Sequence, residues 1–134
     1  MASTTVHPQM TMRLPFSSAS VPEARRRLKG WMAEAGLSQD TMDDARLVLS
    51  ELVANSVRHA RPLSDGNILI GWERDADDVV ITVTDGGGPT VPRQVHATSS
   101  ALAGRGMTIV EALASRWWTE RSPTRQTVHV QLSA

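Results

Sequence analysis

A chain of 134 residues is long enough for one domain with a hydrophobic core and too short for two domains of ordinary size. Its 14 basic and 14 acidic residues balance, so we expect a specific protein partner rather than nucleic acid or a membrane surface. The lack of cysteine excludes disulfides and thiolate metal sites, and no apolar run approaches the ~20 residues of a membrane span. Residues 1–8 are interpreted as a flexible tail without signal-peptide features and 9–134 as one domain, so a cytoplasmic protein is expected.

A short strand and two helices are predicted first. The alternation from Met10 to Leu14 is typical of a half-buried strand. The Ser20–Glu23 segment has the spacing of a capping box, which predicts a helix that ends near Ala35. Ser38 can cap a second, longer helix over Gln39–Ala60.

The second half of the chain predicts a hairpin, a loop, a helix and another hairpin. The ranges are, in order, strands over 67–74 and 78–85, a loop over 90–103, a helix over 107–114, and strands over 116–121 and 126–132. This order favours an α+β fold. We expect a two-layer α/β sandwich, in which three helices cover one face of a mixed, mostly antiparallel sheet.

Two polar side chains interrupt the apolar pattern of the second helix. Glu51 and Asn55 are four residues apart, so they share a helix face at the edge of the buried stripe. A carboxylate can polarise a nucleophile, and an amide oxygen can ligate a hydrated divalent cation. An isolated pair of this kind is more often a half-exposed polar surface, so the pair gains meaning only from the rest of the chain.

Two further features lie at junctions between predicted elements. Asp85 ends a buried strand and three glycines follow it, so the backbone can turn sharply and a flat ligand can lie against it. The Asp85 carboxylate can accept hydrogen bonds from an exocyclic amine, which favours adenine over guanine. Gly104 and Gly106 open the next predicted helix, where free amides and the helix dipole favour phosphate. Each feature alone is commonly a plain turn, but the three in this order predict a nucleotide site.

Other nucleotide and metal motifs are excluded. The single lysine of the chain, Lys29, is followed by Gly30 rather than Ser or Thr, so no P-loop is present. The 4 histidines have no zinc-ligand spacing. His59 follows Asn55 by one turn, and two roles stay open for it: it can approach the phosphates, or it can stabilise the C-terminal end of its helix.

Three segments resemble the motifs of GHKL-type ATP-binding domains, and most closely those of the small bacterial anti-sigma-factor serine/threonine kinases. They are Glu51–Ala60, similar to the N box, Val83–Pro89, similar to the first glycine box, and Gly104–Glu111, similar to the second. The likeness extends from Met10 to Leu132. It implies a histidine-kinase-like ATPase fold with ATP and Mg²⁺ as cofactors.

The resemblance also implies a role for each matching residue. Asn55 would coordinate Mg²⁺ at the phosphates, and Glu51 would be the catalytic base. Asp85 and Gly87 would bind adenine, with a second contact from the Thr127 hydroxyl on the last strand. The remaining cofactor contacts would come from Gly104, Arg105, Gly106 and Met107, under a lid formed by residues 90–103.

The chain departs from the family pattern in three ways. Pro89 stands where the fuller first glycine box has a second glycine, the lid is short, and no phosphoacceptor-histidine helix precedes the domain. The last departure argues against a sensor histidine kinase.

The function implied is that of an anti-sigma factor that binds a sigma factor, phosphorylates an antagonist protein on Ser or Thr, and so regulates transcription. A homodimer is implied in the same way. The alternative is a non-catalytic, ATP-dependent binding switch that sequesters a regulatory partner. A chain that has lost ATP binding is a third, weaker reading.

Overall fold

The computed structural model of the protein describes residues 10–88 and 101–133, with the segment 101–106 described by its backbone alone. The predicted tail and most of the predicted lid lie outside the described residues. Five strands and three α-helices form the described part of the chain. Their bounds are β1 Met10–Pro15, α1 Val21–Glu34, α2 Gln39–His59, β2 Asn67–Asp75, β3 Asp78–Asp85, α3 Ala101–Leu113, β4 Arg116–Arg121 and β5 Gln126–Leu132.

The strands form one sheet in the order β1-β2-β3-β5-β4. Each of these neighbouring pairs is antiparallel. The sequence had predicted a mixed, mostly antiparallel sheet, whereas the observed sheet is antiparallel throughout its described strands. β4 does run in the same direction as β3, but β5 lies between the two and pairs with both. The long connection after β3 therefore leads to the sheet edge, and the return strand fills the gap.

The hydrophobic core lies between one face of the sheet and the three helices, which confirms the predicted α+β architecture. Strands contribute alternate residues to it, as the period of two requires. The fully or nearly fully buried members on the sheet are Ile68, Ile70, Trp72, Val79, Ile81, Val83, Val128, Val130 and Leu132, and those on the helices include Ala24, Leu28, Met32, Ala45, Val48, Leu49, Leu52, Val53, Met107 and Val110. Within the described ranges, no helix has the length and apolar character needed to cross a bilayer.

The two predicted helix caps have different outcomes. Ser38 has an extended backbone, and its side chain accepts a hydrogen bond from the Thr41 amide, as predicted. The capping box at Ser20 is wrong, because a 3-10 turn leads directly into α1 and gives Ser20 helical backbone angles. Its hydroxyl instead donates to the Pro15 carbonyl at 2.7 Å. Glu23 does not take part in a capping box and instead forms ion pairs with two arginines of its own helix.

The third helix begins earlier than the sequence suggested. We expected it to start at Met107, after the Gly104-x-Gly106 segment, whereas it starts at Ala101. Alanine and leucine at 101–103 are strong helix formers, and a glycine costs only about 1 kcal/mol in a helix interior, so the two glycines do not prevent the helix from extending through them.

Two leucines of α2 provide a direct test of this layer arrangement. Leu49 is fully buried against the sheet, while Leu47 on the other side of the helix is 43% exposed. We expect Leu49→Ala to lower the free energy of unfolding by about 2–5 kcal/mol and Leu47→Ala to change it by less than about 0.5 kcal/mol. Urea unfolding of both variants measures the difference, and equal losses would contradict the placement of α2.

Candidate functional site

The candidate site is built around Asp85, the last residue of β3. Only 2% of its surface is exposed. The Ser56 hydroxyl on α2 donates a hydrogen bond to Asp85 Oδ2 at 2.6 Å, and the Gly87 amide donates one to Oδ1 at 2.8 Å. The carboxylate is therefore held between the helix layer and the turn that follows its own strand.

The environment of Asp85 opposes its ionisation. Burial raises the pKa of Asp85 above its usual value, and the hydrogen bonds from Ser56 and Gly87 oppose this rise only in part. A buried carboxyl that is costly to ionise at the end of a strand is typical of functional sites. Each oxygen still has capacity for another donor, so Asp85 can accept hydrogen bonds from an amine.

The glycine-rich turn is attached to the C-terminal end of α2. The amide of Arg61 donates to the Gly87 carbonyl at 3.0 Å, and the Gly86 amide donates to the Arg61 carbonyl at 2.8 Å. The Arg61 Nε atom adds a third bond to the same Gly87 carbonyl at 3.2 Å. These bonds fix the turn relative to the helix that carries Glu51 and Asn55.

The three glycines have different roles. A β-carbon on Gly86 would overlap the Pro62 carbonyl oxygen, and one on Gly88 would lie 2.5 Å from the His59 carbonyl oxygen. Gly86 and Gly88 are thus required by backbone packing. Gly87 has a φ of +84°, and no atom of the described residues lies within 4 Å of the β-carbon position, so close approach of a flat ligand is possible there and not at its neighbours.

Glu51 and Asn55 lie on α2, as predicted. Both are half-buried, and no hydrogen bond or ion pair holds either side chain within the described part of the chain. Asn55 immediately precedes Ser56, so it lies beside the helix residue that binds Asp85. The described residues contain no group of three or more acidic or histidine side chains that could hold a metal ion. A cation at Asn55 would therefore keep most of its ligands as water or phosphate, as Mg²⁺ commonly does.

The residues of the second glycine box do not match the expected geometry. Gly104 and Gly106 are the fourth and sixth residues of α3, whereas the free amides of a helix are those of its N-cap and first three residues. The predicted phosphate site at a helix start is therefore not present at these two glycines. Met107 is 2% exposed and belongs to the hydrophobic core, so its side chain is structural. The Arg105 side chain lies outside the described residues.

Thr127 is not brought together with Asp85. Side chains alternate along a strand, and Thr127 pairs in register with Thr84, one residue before Asp85. The two threonine hydroxyls form a hydrogen bond of 2.8 Å on the sheet face that lacks helices. The register of β5 places Gln126, and not Thr127, opposite Asp85. The expected contact between Thr127 and an adenine beside Asp85 therefore does not fit this structure.

Sequence reasoning missed two members of the site, Ser56 and Gln126. Ser56 lies among the buried apolar residues of α2, and a buried hydroxyl in such a stripe needs a partner. Gln126 is 3% exposed, and its Oε1 atom has no hydrogen-bond partner among the described residues. The alternation of Val128, Val130 and Leu132 extends back to Gln126, so this period was the signal that could have found it. His59 also carries a buried ring nitrogen, Nε2, without a partner in the described ranges.

A separate groove of about 460 Å³ lies on the sheet face away from the helices. Trp118 stacks on His129 there, with 4.9 Å between ring centroids, and the Arg116 guanidinium lies 4.2 Å from the centre of the Trp118 ring. No residue predicted to bind nucleotide lines this groove.

Comparison with known proteins decides the family. The family model described as the histidine kinase-like ATPase domain matches residues 14–132, which is nearly the whole chain. The chain belongs to this ATPase-domain family.

Its relatives within the family include named kinases. Serine-protein kinase RsbW of Listeria innocua is 32% identical over 84 residues, which are 62% of this chain and 54% of that protein. Serine-protein kinase RsbW of Staphylococcus epidermidis is 36% identical over 78 residues, 57% of this chain and 49% of that protein. The chain therefore spans about half the length of the curated relatives it matches.

Solved structures show the same fold at lower identity. The structure of the RsbU and RsbW domains of a Mycobacterium tuberculosis protein has a TM-score of 0.72 and 22% identity, and covers 95% of this chain and 32% of that chain. A chain in the SiaB-SiaC complex from Pseudomonas aeruginosa has a TM-score of 0.68 and 12% identity, and covers 92% of this chain and 88% of its own.

The described residues fit the adenine end of the nucleotide that an ATPase domain uses. Asp85 supplies a buried acceptor, Gly87 leaves space for a flat ring, and the Gln126 carboxamide has an unused acceptor on the same sheet face. The histidine kinase-like ATPase domain thus has polar groups with remaining hydrogen-bonding capacity where β3, β5 and α2 meet.

Replacement of Gly86 tests the packing of the turn on α2. We expect Gly86→Ala to lower the free energy of unfolding by about 2–3 kcal/mol, because the new methyl group overlaps the Pro62 carbonyl. Gly30→Ala in α1 is the matched control. Outside the backbone of its own helix, no atom of the described residues lies within 4 Å of its β-carbon position, so that variant should gain about 0.5–1 kcal/mol. Chemical denaturation measures both, and an unchanged stability of Gly86→Ala would contradict the attachment of the turn.

The raised pKa of Asp85 predicts a specific pH dependence of stability. A carboxyl whose pKa is higher in the folded state binds its proton more tightly there, so it favours folding at acidic pH and this contribution is lost as pH rises through the folded pKa. Asp85→Asn removes the titration, while the Ser56 hydroxyl can donate or accept and so keeps a bond to either atom of the amide.

We therefore expect the stability of the original protein, relative to Asp85→Asn, to fall as pH rises above the ordinary value of 3.8 and to become constant above the raised pKa. Thermal unfolding of both proteins at a series of pH values measures this difference, in which all other titrating groups cancel. A relative stability that rises with pH over this range would show that the hydrogen bonds outweigh burial.

Proposed function

We propose that this protein is an ATP-dependent serine/threonine kinase and anti-sigma factor. It transfers the terminal phosphoryl group of ATP to a Ser or Thr hydroxyl of an antagonist protein, and it regulates transcription by binding a sigma factor. The observation that carries this proposal is the buried Asp85 carboxylate, held by Ser56 of α2 and by Gly87. The helix that fixes the base-binding carboxylate is the same one that carries Glu51 and Asn55.

The residues act in three positions along the nucleotide. Asp85 accepts a hydrogen bond from the exocyclic amine of adenine, in the space above Gly87. Asn55, which belongs to the same helix as the Asp85 donor Ser56, would hold Mg²⁺ at the phosphates through its amide oxygen. Bound Mg²⁺ supplies neutralisation of phosphate charge. Glu51, one helical turn before Asn55, acts at the terminal phosphate.

Glu51 is the proposed catalytic base. Its carboxylate has no ion pair or hydrogen bond among the described residues, so it is free to accept the proton of the attacking hydroxyl. The hydroxyl oxygen then forms the new bond to the terminal phosphorus, and ADP leaves with the electrons of the bond that breaks. Phosphoryl transfer depends mainly on such positioning and on charge neutralisation.

The protein partners rest on the relatives. The named relatives are serine-protein kinases, and a chain with the same fold occurs in a complex of two different proteins. Both findings support a protein rather than a small molecule as phosphoryl acceptor. The proposal includes a sigma factor as second partner, a homodimer, and the cytoplasm as location, because ATP and sigma factors are present there.

Two variants of α2 test the kinase proposal. Glu51→Gln should lower phosphate transfer from labelled ATP to the antagonist about 100-fold or more, because the base is lost, while ATP affinity measured by calorimetry stays unchanged. Asn55→Ala should weaken both Mg²⁺-dependent ATP binding and transfer. Asp44→Asn is the control, since this acidic residue lies two turns before Glu51 on the same helix and should leave both properties intact.

Candidate antagonist proteins of bacterial sigma-factor regulation serve as acceptors in this assay. The protein is a nucleotide-dependent binding switch if two results are found together. The original protein binds ATP but transfers phosphate to none of these acceptors, and Glu51→Gln binds its partner with the same affinity as the original protein. A lack of ATP binding would contradict both functions.

A further inference from the structure

We propose that the exposed face of α2 beside Glu51 is the docking site of the phosphoacceptor protein, with Leu47 as its apolar contact. This docking face consists of Asp40, Asp43 and Leu47, which precede Glu51 on the same helix. The inference rests on the proposed function in one respect, namely that Glu51 acts on a hydroxyl of another protein. It goes further because it specifies the surface that this protein presents around its Ser or Thr.

The first observation is the exposure of a large aliphatic side chain on α2. Leu47 is 43% exposed, whereas Val48 and Leu49 next to it are fully buried in the core. Within residues 10–88 and 101–133, Met10 is the one other large hydrophobic residue that is exposed to a similar degree. Single exposed apolar residues are common on protein surfaces, so the position of Leu47 must decide its role.

The second observation is the order of residues along one side of α2. Leu47, Glu51 and Asn55 follow one another at intervals of four residues, so their β-carbons lie about 5–6 Å apart in a row. Glu51 thus lies between the apolar side chain and the residue proposed to hold Mg²⁺ at the phosphates. In phosphoryl transfer the attacking and leaving oxygens lie on opposite sides of the phosphorus. The nucleotide therefore lies on the Asn55 side of Glu51, and the side of Leu47 is left for the acceptor.

The size of a protein interface supports the same placement. An interface of ordinary size covers about 800 Å² on each partner, which corresponds to a radius of about 16 Å. Leu47 lies only about 6 Å from Glu51. A protein whose hydroxyl reaches the Glu51 carboxylate is therefore brought against the Leu47 side chain.

The N-terminal half of α2 adds negative charge to the docking face. Asp40 and Asp43 are exposed, and a rise of 1.5 Å per residue places them about 12–16 Å from Glu51 along the helix axis. Asp40 forms no ion pair within the described part of the chain, and the nearest cation of Asp43 is Arg46, with 3.9 Å between Oδ1 and Nη1. Asp40 also stabilises the start of its helix, but Asp43 lies beyond the first turn, where this effect is small.

These features define a chemical class of acceptor protein. Its Ser or Thr hydroxyl lies at Glu51, an apolar side chain about 6 Å away packs on Leu47, and a Lys or Arg about 12–16 Å away faces the two aspartates. The apolar contact contributes affinity, and the complementary charges fix the orientation and raise the association rate. A protein that only exposes a serine lacks the second and third of these groups.

Leu47→Ala tests the apolar contact. The assay uses the antagonist protein to which the original protein transfers phosphate most rapidly. We expect the KM for this acceptor to rise about tenfold, because the variant loses the apolar area that the acceptor buries. The kcat at saturating acceptor and the ATP affinity measured by calorimetry should stay unchanged. Leu47→Met keeps the apolar volume and should keep the original KM.

Met10→Ala is the matched control. Met10 is 38% exposed but lies on β1, at the edge of the sheet and outside the docking face, so its removal should leave the acceptor KM unchanged. Asp40→Asn tests the charge. It should raise the acceptor KM about two- to threefold at low ionic strength and leave it unchanged at high ionic strength, because salt screens exposed charges. Asp44 is half-buried and is not part of the docking face.

Several outcomes would overturn the inference. They are an unchanged acceptor KM in Leu47→Ala, an equal rise in Met10→Ala, or a loss of kcat or ATP affinity in Leu47→Ala, which would mean that Leu47 shapes the site itself. A loss in Asp40→Asn that persists at high ionic strength would contradict the role of charge. If the original protein transfers phosphate to no acceptor, the proposed function itself fails, so the two failures are distinguishable.

Discussion

The structure depends on the burial of one carboxylate at the place where a helix, a strand end and a turn meet. Asp85 has almost no contact with solvent, and its two oxygens are bound by a hydroxyl from α2 and by an amide from its own turn. A carboxyl group in such a place opposes folding at neutral pH, and these two bonds offset part of that cost. The positions of α2, β3 and the glycine turn are therefore linked to one another through a single side chain.

The glycines next to Asp85 extend this linkage to the backbone. Gly86 and Gly88 allow the turn to lie directly on the residues that end α2, and Arg61 joins the two segments by three hydrogen bonds. Only Gly87 of the three has a free face in the described part of the chain. A glycine-rich sequence that looks uniform thus combines two packing positions with one position at which a ligand can approach.

Much of the fold was predictable because its signals are local and periodic. The bounds of β3, β4 and β5 agree with the sequence prediction, since alternating β-branched residues define β3 and β5 and the turn at 122–125 ends β4. The start of α2 also agrees, because the Ser38 cap is a local interaction. The predicted start of α3 was wrong because a glycine does not by itself end a helix. The residues before Gly104 belong to the same helix, which begins at Ala101.

The site was only partly predictable, for a different reason. Glu51, Asn55 and Asp85 could be identified from spacing along the chain. The alternation of Val128, Val130 and Leu132 indicates that Gln126, and not Thr127, lies on the core face. That Gln126 is opposite Asp85 could not be predicted, because this pairing involves a strand some 40 residues earlier in the sequence. A shift of one residue in register exchanges the two faces completely. Likewise, the bond from Ser56 to Asp85 exists only once α2 has packed on β3.

Because β5 is an interior strand of the sheet, its late position in the sequence affects the order in which the sheet can form. A ribosome delivers β5 after every other described strand, yet β5 pairs with β3 on one side and β4 on the other. Until it emerges, β3 has an unpaired edge with apolar side chains, which is a surface prone to aggregation. The candidate site and the relief from this hazard thus arise in the same late step of biosynthesis.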